Sequence, residues 1–162
     1  MEKLVQLNLP EYDFNIRRAA GGLSIFDDVR RRFVALTPEE WVRQNFVRFL
    51  IESRHFPLGL IGNEVSLLQN GIKRRCDTLI VGRNGTPFVI VEYKAPHIEI
   101  TQSVFDQIFR YNLVLKAQFL MVSNGLAHYC CKIDYGRNSY SFLKDIPYYD
   151  DIAGQVVINE LI

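Results

Sequence analysis

This chain predicts a mixed α/β fold, a central mixed β-sheet flanked by helices, and three observations predict it. A capped helical segment over residues 37–53 precedes a series of strand-like apolar segments between Glu64 and Lys94. An amphipathic segment, Thr101 to Lys116, reads as a second helix, and further short strands follow it. Helix, strands, helix, strands in that order describes layers packed on one sheet. With 162 residues, 48% of them hydrophobic, there is material for one sizeable core. The expected organisation is a single domain over 1–162, with a hairpin-like extension at 1–34 and a core at 35–145.

Each element has a local reason. Phe14 to Arg18 and Ser24 to Asp27 flank Gly21-Gly22, which signals a hairpin, and Arg30-Arg31-Arg32-Phe33-Val34 leads on to the first helix. Thr37-Pro38-Glu39-Glu40 is a helix start: Thr37 as N-cap, Pro38 in the first turn, Glu40 closing a capping box. Val42, Phe46, Phe49 and Leu50 then mark one apolar side as far as Ser53. Glu64 to Leu68 pairs with Ile72 to Val81 across Asn70-Gly71, a strong two-residue hairpin signal. Pro87 to Lys94 makes a third strand. Val104, Ile108, Tyr111 and Leu115 form the stripe of the second helix. Phe119 to Ser123, Leu126 to Ile133 and Ser139 to Leu143 complete the strands. Tyr148-Tyr149-Asp150-Asp151 is read as a core seal or an oligomer contact, leaving a homodimer open.

Composition narrows the function classes. No window approaches the roughly 20 apolar residues a membrane helix needs, so no membrane partner is expected. Three cysteines lack disulfide or zinc spacing and suggest a reducing, cytoplasmic compartment. A formal net charge of +1 means that a nucleic acid would be held by local patches, Lys73-Arg74-Arg75 and Arg30-Arg31-Arg32, and not by the whole field. The bland alternative for such runs is a solvated edge that discourages strand association.

The chemistry centres on Asp77 and Val91-Glu92-Tyr93-Lys94. Charges stranded at the ends of apolar strands are destabilising by on the order of several kcal/mol unless something uses them. Strand alternation puts Glu92 and Lys94 on one face with Ile90 and Phe88, and Asp77 with Leu79 and Val81. If the two strands are neighbours, Asp77, Glu92 and Lys94 converge at one edge of the sheet. Two carboxylates suit a hard cation such as Mg²⁺ or Mn²⁺, and a lysine beside it suits phosphodiester hydrolysis. The alternative is that strand-edge acids pair with Arg74 or Arg75. Glu64 is read as an exposed strand acid, and His97 as a surface-loop histidine.

Cys76-Asp77, the following hairpin and Val91-Glu92-Tyr93-Lys94-Ala95-Pro96 resemble the core of PD-(D/E)xK nucleases. More narrowly, the chain resembles the N-terminal nuclease domain of the R subunit of type I restriction enzymes. Gln107 to Tyr111 is similar to that group's Gln-x-x-x-Tyr helix, Val122-Ser123-Asn124-Gly125 to its strand ending in Asn-Gly, and Thr37 to Gln44 to its first helix. The resemblance covers about residues 33–145 and implies a restriction-endonuclease-like core. It makes Asp77 and Glu92 metal ligands and Lys94 the catalytic lysine, with DNA as substrate. It also implies a glutamate from the first helix. Glu39 is favoured over Glu40, since at about 100° per residue it lies nearer the Val42-Phe46-Leu50 face and Glu40 has a capping task. Gln107 and Tyr111 would reach the rim to contact DNA or orient Lys94, although Tyr111 also fits the core stripe; Lys73 and Arg75 would line a groove leading to the metal. Cys76 stands where the name-giving proline would be, and the helicase motor is absent, so a separate helicase, translocase or specificity subunit is an expected partner. A module that keeps this fold without turnover, and a homo-oligomer without nucleic acid, remain the alternatives.

Overall fold

The computed structural model describes residues 4–153; residues 1–3 and 154–162 of the expected single domain lie outside that description. Helix α1 (Pro38–Arg54) starts as its sequence demands. Thr37 is extended, its Oγ1 accepts the Glu40 N–H at 3.0 Å, and Pro38 stands where no N–H is needed. The reciprocal half of the capping box does not form. Glu40 turns its carboxylate to Arg30 and Arg43, and charge-assisted bonds outcompete a neutral backbone donor. His55 closes the helix in the left-handed region, at φ 65°.

Strands β1 (Ile16–Ala19), β2 (Gly22–Asp27) and β3 (Arg32–Ala35) form a small antiparallel sheet of their own. The Gly21-Gly22 hairpin is the one expected. The third strand was not: the arginine run turns the chain, with Arg31 at φ 57°, and its last residue opens β3. A six-stranded sheet follows in chain order: β4 (Ile61–Gln69), β5 (Ile72–Val81), β6 (Pro87–Tyr93), β7 (Phe119–Ser123), β8 (His128–Asp134) and β9 (Ser139–Phe142). Its neighbours are antiparallel except β6 and β7. A parallel pair needs a crossover, and α2 (Gln102–Asn112) supplies it. The sheet is therefore mixed, as expected.

The two faces carry separate cores. Val42, Phe46 and Leu50 of α1 pack on Val89, Val91, Tyr93 and Met121. Phe105 and Phe109 of α2 pack on Leu79, Ile90, Leu120 and Val122. The α1 stripe is the expected one, whereas that of α2 is rotated: Phe105, Phe109 and Asn112 are buried, and Tyr111 is 44% exposed. The two phenylalanines have the larger apolar area to hide, and they set the face. Phe88 also departs from expectation. The β5–β6 register shifts at Ile80/Val81, and Phe88 packs on the α1 side with Phe119 and Tyr149 instead of sharing a face with Ile90. An inserted residue of this kind breaks strict alternation. Tyr149 seals that core against Phe56, while Tyr148 stays outside against His55. All three cysteines are buried and free.

The β4–β5 hairpin extends beyond the sheet. Asn70 and Gly71 both have positive φ, 50° and 77°, which suits a two-residue turn between twisted strands. Pairing with β6 begins only at Thr78, so residues 65–76 form a two-stranded arm. Leu68 at its tip is 72% exposed.

Candidate functional site

Asp77 lies on β5 where the arm joins the sheet, and Glu92 lies on neighbouring β6, one residue before its end. Their side chains are close enough for the Asp77 carboxyl to disfavour the charged form of Glu92. Asp77 Oδ2 also accepts the Tyr93 N–H at 2.9 Å, which ties the acid of one strand to the backbone of the next. Glu92 Oε1 is shut off from solvent and has no hydrogen-bond partner. Burial first, and the Asp77 carboxyl second, push Glu92 up to about 10. The two acids therefore share a site that favours one negative charge over two.

From α2 the buried Asn112 side chain favours the charged form of Glu92. Asn112 Nδ2 is held by the Ile108 carbonyl at 2.9 Å, and its Oδ1 is, like Glu92 Oε1, buried without a partner. Lys94 follows the end of β6, its N–H donating to the Ser123 carbonyl at 3.0 Å. Its ammonium makes no ion pair among the described residues and is felt by Glu39. Glu39 stands in the first turn of α1. Burial and then the Asp77 carboxylate raise its pKa, while Arg43 and Lys94 oppose the rise. Asp77 and Glu92 are thus neighbours, and the Glu39 carboxyl feels both Asp77 and Lys94.

Glu39, expected nearer the packed face of α1, is the exposed one of the two glutamates, although its carboxyl feels that of Asp77. Glu40 is the buried one, 6% exposed, and it is consumed by Arg30, Arg43 and Gln44. Glu64 is a further correction: it is half-buried and bridges Arg43 and Arg75 at 2.6 and 2.5 Å. Arg75 thereby pairs with Glu64, not with Asp77 or Glu92. Gln107 is exposed on the outer face of α2, and Tyr111 lies under Arg74, whose guanidinium sits 4.4 Å from the ring centroid and donates to the Tyr111 carbonyl. Tyr111 thereby touches the arm. Lys73 is exposed on the arm, as is His97 on its loop.

Two residues at the site were missed in the sequence. Arg43 donates to the Asp77 carbonyl at 2.6 Å, and Asn112 is felt by the Glu92 carboxyl. The available signal was the same for both: each is a polar residue at helical spacing on a buried stripe. Arg43 is three residues before Phe46, and Asn112 is three after Phe109.

Among the described residues no three His, Cys, Asp or Glu side chains stand close enough to form a complete protein cage for a metal. Mg²⁺ asks for less than that, one or two carboxylates with water and substrate oxygens completing its shell. A crowded acid pair with an unpartnered buried oxygen meets that demand.

Residues 38–147 match the family model described as Type I restriction enzyme R protein N terminus (HSDR_N). The chain belongs to that family. Among solved structures it is similar to a fragment assigned to the HsdR subunit of a type I restriction enzyme from Vibrio vulnificus YJ016. The TM-score is 0.54 and the identity 21%, over 80% of this chain and 27% of that one. The chain therefore spans about a quarter of the length of that relative, and the likeness is one of fold. No curated protein matches. Among the described residues no helix is long and apolar enough to cross a membrane.

Proposed function

We propose that this chain is a metal-dependent DNA endonuclease domain with a PD-(D/E)xK-type centre, hydrolysing phosphodiester bonds. The observation that carries this reading is the meeting of Asp77 and Glu92 on adjacent strands with one buried carboxylate oxygen unpartnered. A polar atom left this way in a folded protein calls for an explanation, and a divalent cation supplies one. Asp77 and Glu92 would hold Mg²⁺ or Mn²⁺, which when bound lowers the pKa of its water and offsets charge growing on a phosphate oxygen. Lys94, unpaired at the end of β6, orients the attacking water and stands as a point charge beside the phosphate. Glu39 completes the acidic rim next to Lys94. The β4–β5 arm offers Lys73 and Arg74 to the DNA backbone, with Arg75 shared with Glu64, and Tyr111 and Gln107 line the adjoining surface.

Family membership supports the wider setting. An R-subunit domain works with a translocating motor and a specificity subunit, and these are the proposed partners, in a cytoplasmic compartment where buried thiols stay reduced. Plasmid cleavage with Mg²⁺, with Mn²⁺ and with chelator tests the reading. Nicking should appear with either metal, vanish with chelator and vanish in Glu92→Ala. Lys94→Ala should abolish cleavage while leaving the fold intact; undiminished nicking by that variant would remove Lys94 from its role.

A second reading, a nucleic-acid-binding or assembly module without turnover, is favoured by the raised Glu92 carboxyl beside Asp77. A proton alone then satisfies the acid pair in part. Salt-dependent DNA binding with no cleavage under any metal would select it.

A further inference from the structure

The family match begins at residue 38, so the small β1–β3 sheet lies before it with no role assigned. That sheet is wired to the site. Asp27 of β2, 1% exposed, binds Arg30; Arg30 binds Glu40 of α1; Glu40 binds Arg43; Arg43 binds Glu64 of β4; and Glu64 binds Arg75 of β5. Carboxylates and guanidinium groups alternate along the whole path. Arg43 is its centre and is 5% exposed. Its Nε and Nη2 serve Glu40, Nη2 also serves Glu64, and Nη1 serves the backbone carbonyl of Asp77. Only a planar fork of donors can do this; a lysine has no such geometry.

The contact with Asp77 occurs at a break in the sheet. The β4–β5 ladder pairs Asn63 with Thr78 and Val65 with Cys76, but skips Glu64 opposite Asp77. Glu64 there has φ 55°, a conformation unfavourable for a side chain of this kind and held only by its surroundings. Arg43 grips both residues of the skipped position.

A second path joins the same two ends. The Tyr93 N–H donates to Asp77 Oδ2 at 2.9 Å, and the Tyr93 hydroxyl to Thr78 Oγ1 at 2.9 Å. Thr78 donates to Asn63 Oδ1 at 2.7 Å, and Asn63 Nδ2 to Asp27 Oδ2 at 3.0 Å. Asp77 is thus held at its carbonyl by one route and at its carboxylate by the other, and both routes end on Asp27. We propose that the N-terminal sheet is a positioning element for the candidate site: through Asp27, Arg30 and Glu40 it fixes Arg43, and Arg43 fixes Asp77. The functional consequence rests on Asp77 being a metal-holding carboxylate; the positioning does not.

Native-state amide exchange on the full chain tests it without metal or DNA. The Tyr93 amide reports how firmly Asp77 is held, and Met121 in the middle of β7 reports global opening. Arg43→Lys and Arg30→Gln should each speed Tyr93 exchange about tenfold relative to Met121, and the double variant should be no faster than Arg43→Lys, because both act along one path. Arg17→Ala, on the same sheet but off the path, should leave Tyr93 unchanged. If Arg43→Lys does not fold, Arg30→Gln carries the test from the far end. Tyr93 exchange that moves only in step with Met121 would show the network to be mere support and overturn the proposal. Mn²⁺ titration of the same variants separates the two claims: a wild-type chain that binds no Mn²⁺ defeats the metal reading, while the exchange result still decides the positioning.

Discussion

Glu40 and Glu92 are the same residue type, both with buried carboxylate oxygens, and they lie on opposite faces of one sheet. Glu40 accepts from Arg30 at 2.7 Å, from Arg43 at 2.9 and 3.3 Å and from Gln44 at 3.0 Å. Glu92 has an acid and an amide for neighbours and leaves Oε1 empty. The contrast separates a structural charge from a candidate functional one. Burial is common to both; the partner set is what differs. A carboxylate enclosed by cations has nothing left to offer, whereas one placed beside another acid is destabilised until a proton or a cation joins it.

Substitution should divide the pair cleanly. Glu92→Ala is expected to lower plasmid cleavage by about a thousandfold with the fold retained, as read by circular dichroism and nicking rates on one preparation. Glu40→Ala leaves the buried Arg43 and the partly buried Arg30 short of a partner and should lower stability by about 3 kcal/mol in urea denaturation. If Glu92→Ala proved the more damaging to stability, the division between the two sites would fail.

The pH dependence sharpens the same contrast. Glu92 is raised in the folded chain from an ordinary value of 4.5 to about 10. A raised acid gives stability that is fully present below the unfolded value and is lost as pH climbs toward the folded one, because the unfolded chain releases its proton first. Wild-type stability should therefore decline from pH 5 to pH 8. Glu92→Gln should flatten that decline and be the more stable chain at pH 8 by on the order of 2 kcal/mol, read from denaturation midpoints at both pH values. Parallel slopes for the two chains would contradict the assignment. The smallest effect is expected on the arm: Lys73→Ala should weaken DNA binding and reduce its salt slope by about one, as measured by anisotropy across a salt series.

Much of this was legible in the sequence, and for identifiable reasons. Local chemistry spoke plainly where one residue decides a conformation. Thr37-Pro38 started α1, Asn70-Gly71 turned the β4–β5 hairpin, and the runs from Ile72 to Val81 and Phe119 to Ser123 became strands with those bounds. The juxtaposition of Asp77 and Glu92 followed from one hairpin and strand alternation. What stayed hidden depended on competition between elements. The face of α2 was settled by two phenylalanines pressing on the sheet, which turned Tyr111 outward and Asn112 inward. Glu40 was claimed by Arg30, an arginine of the turn between β2 and β3, and the capping box lost its second half. Phe88 changed sides at an irregularity in pairing that no residue type announces. Arg43 required knowing that the ladder opens at Glu64.

The most direct measurement is calorimetric titration of Mn²⁺ into the full chain at pH 7.5 in buffers of different ionisation enthalpy. A carboxyl pair holding a proton must give it up to a cation. The expected result is one Mn²⁺ per chain with about one proton released, both lost in Glu92→Gln. Mn²⁺ uptake without proton release and unchanged in Glu92→Gln, or no uptake at all, would contradict the assignment of Asp77 and Glu92 as the ion-holding pair.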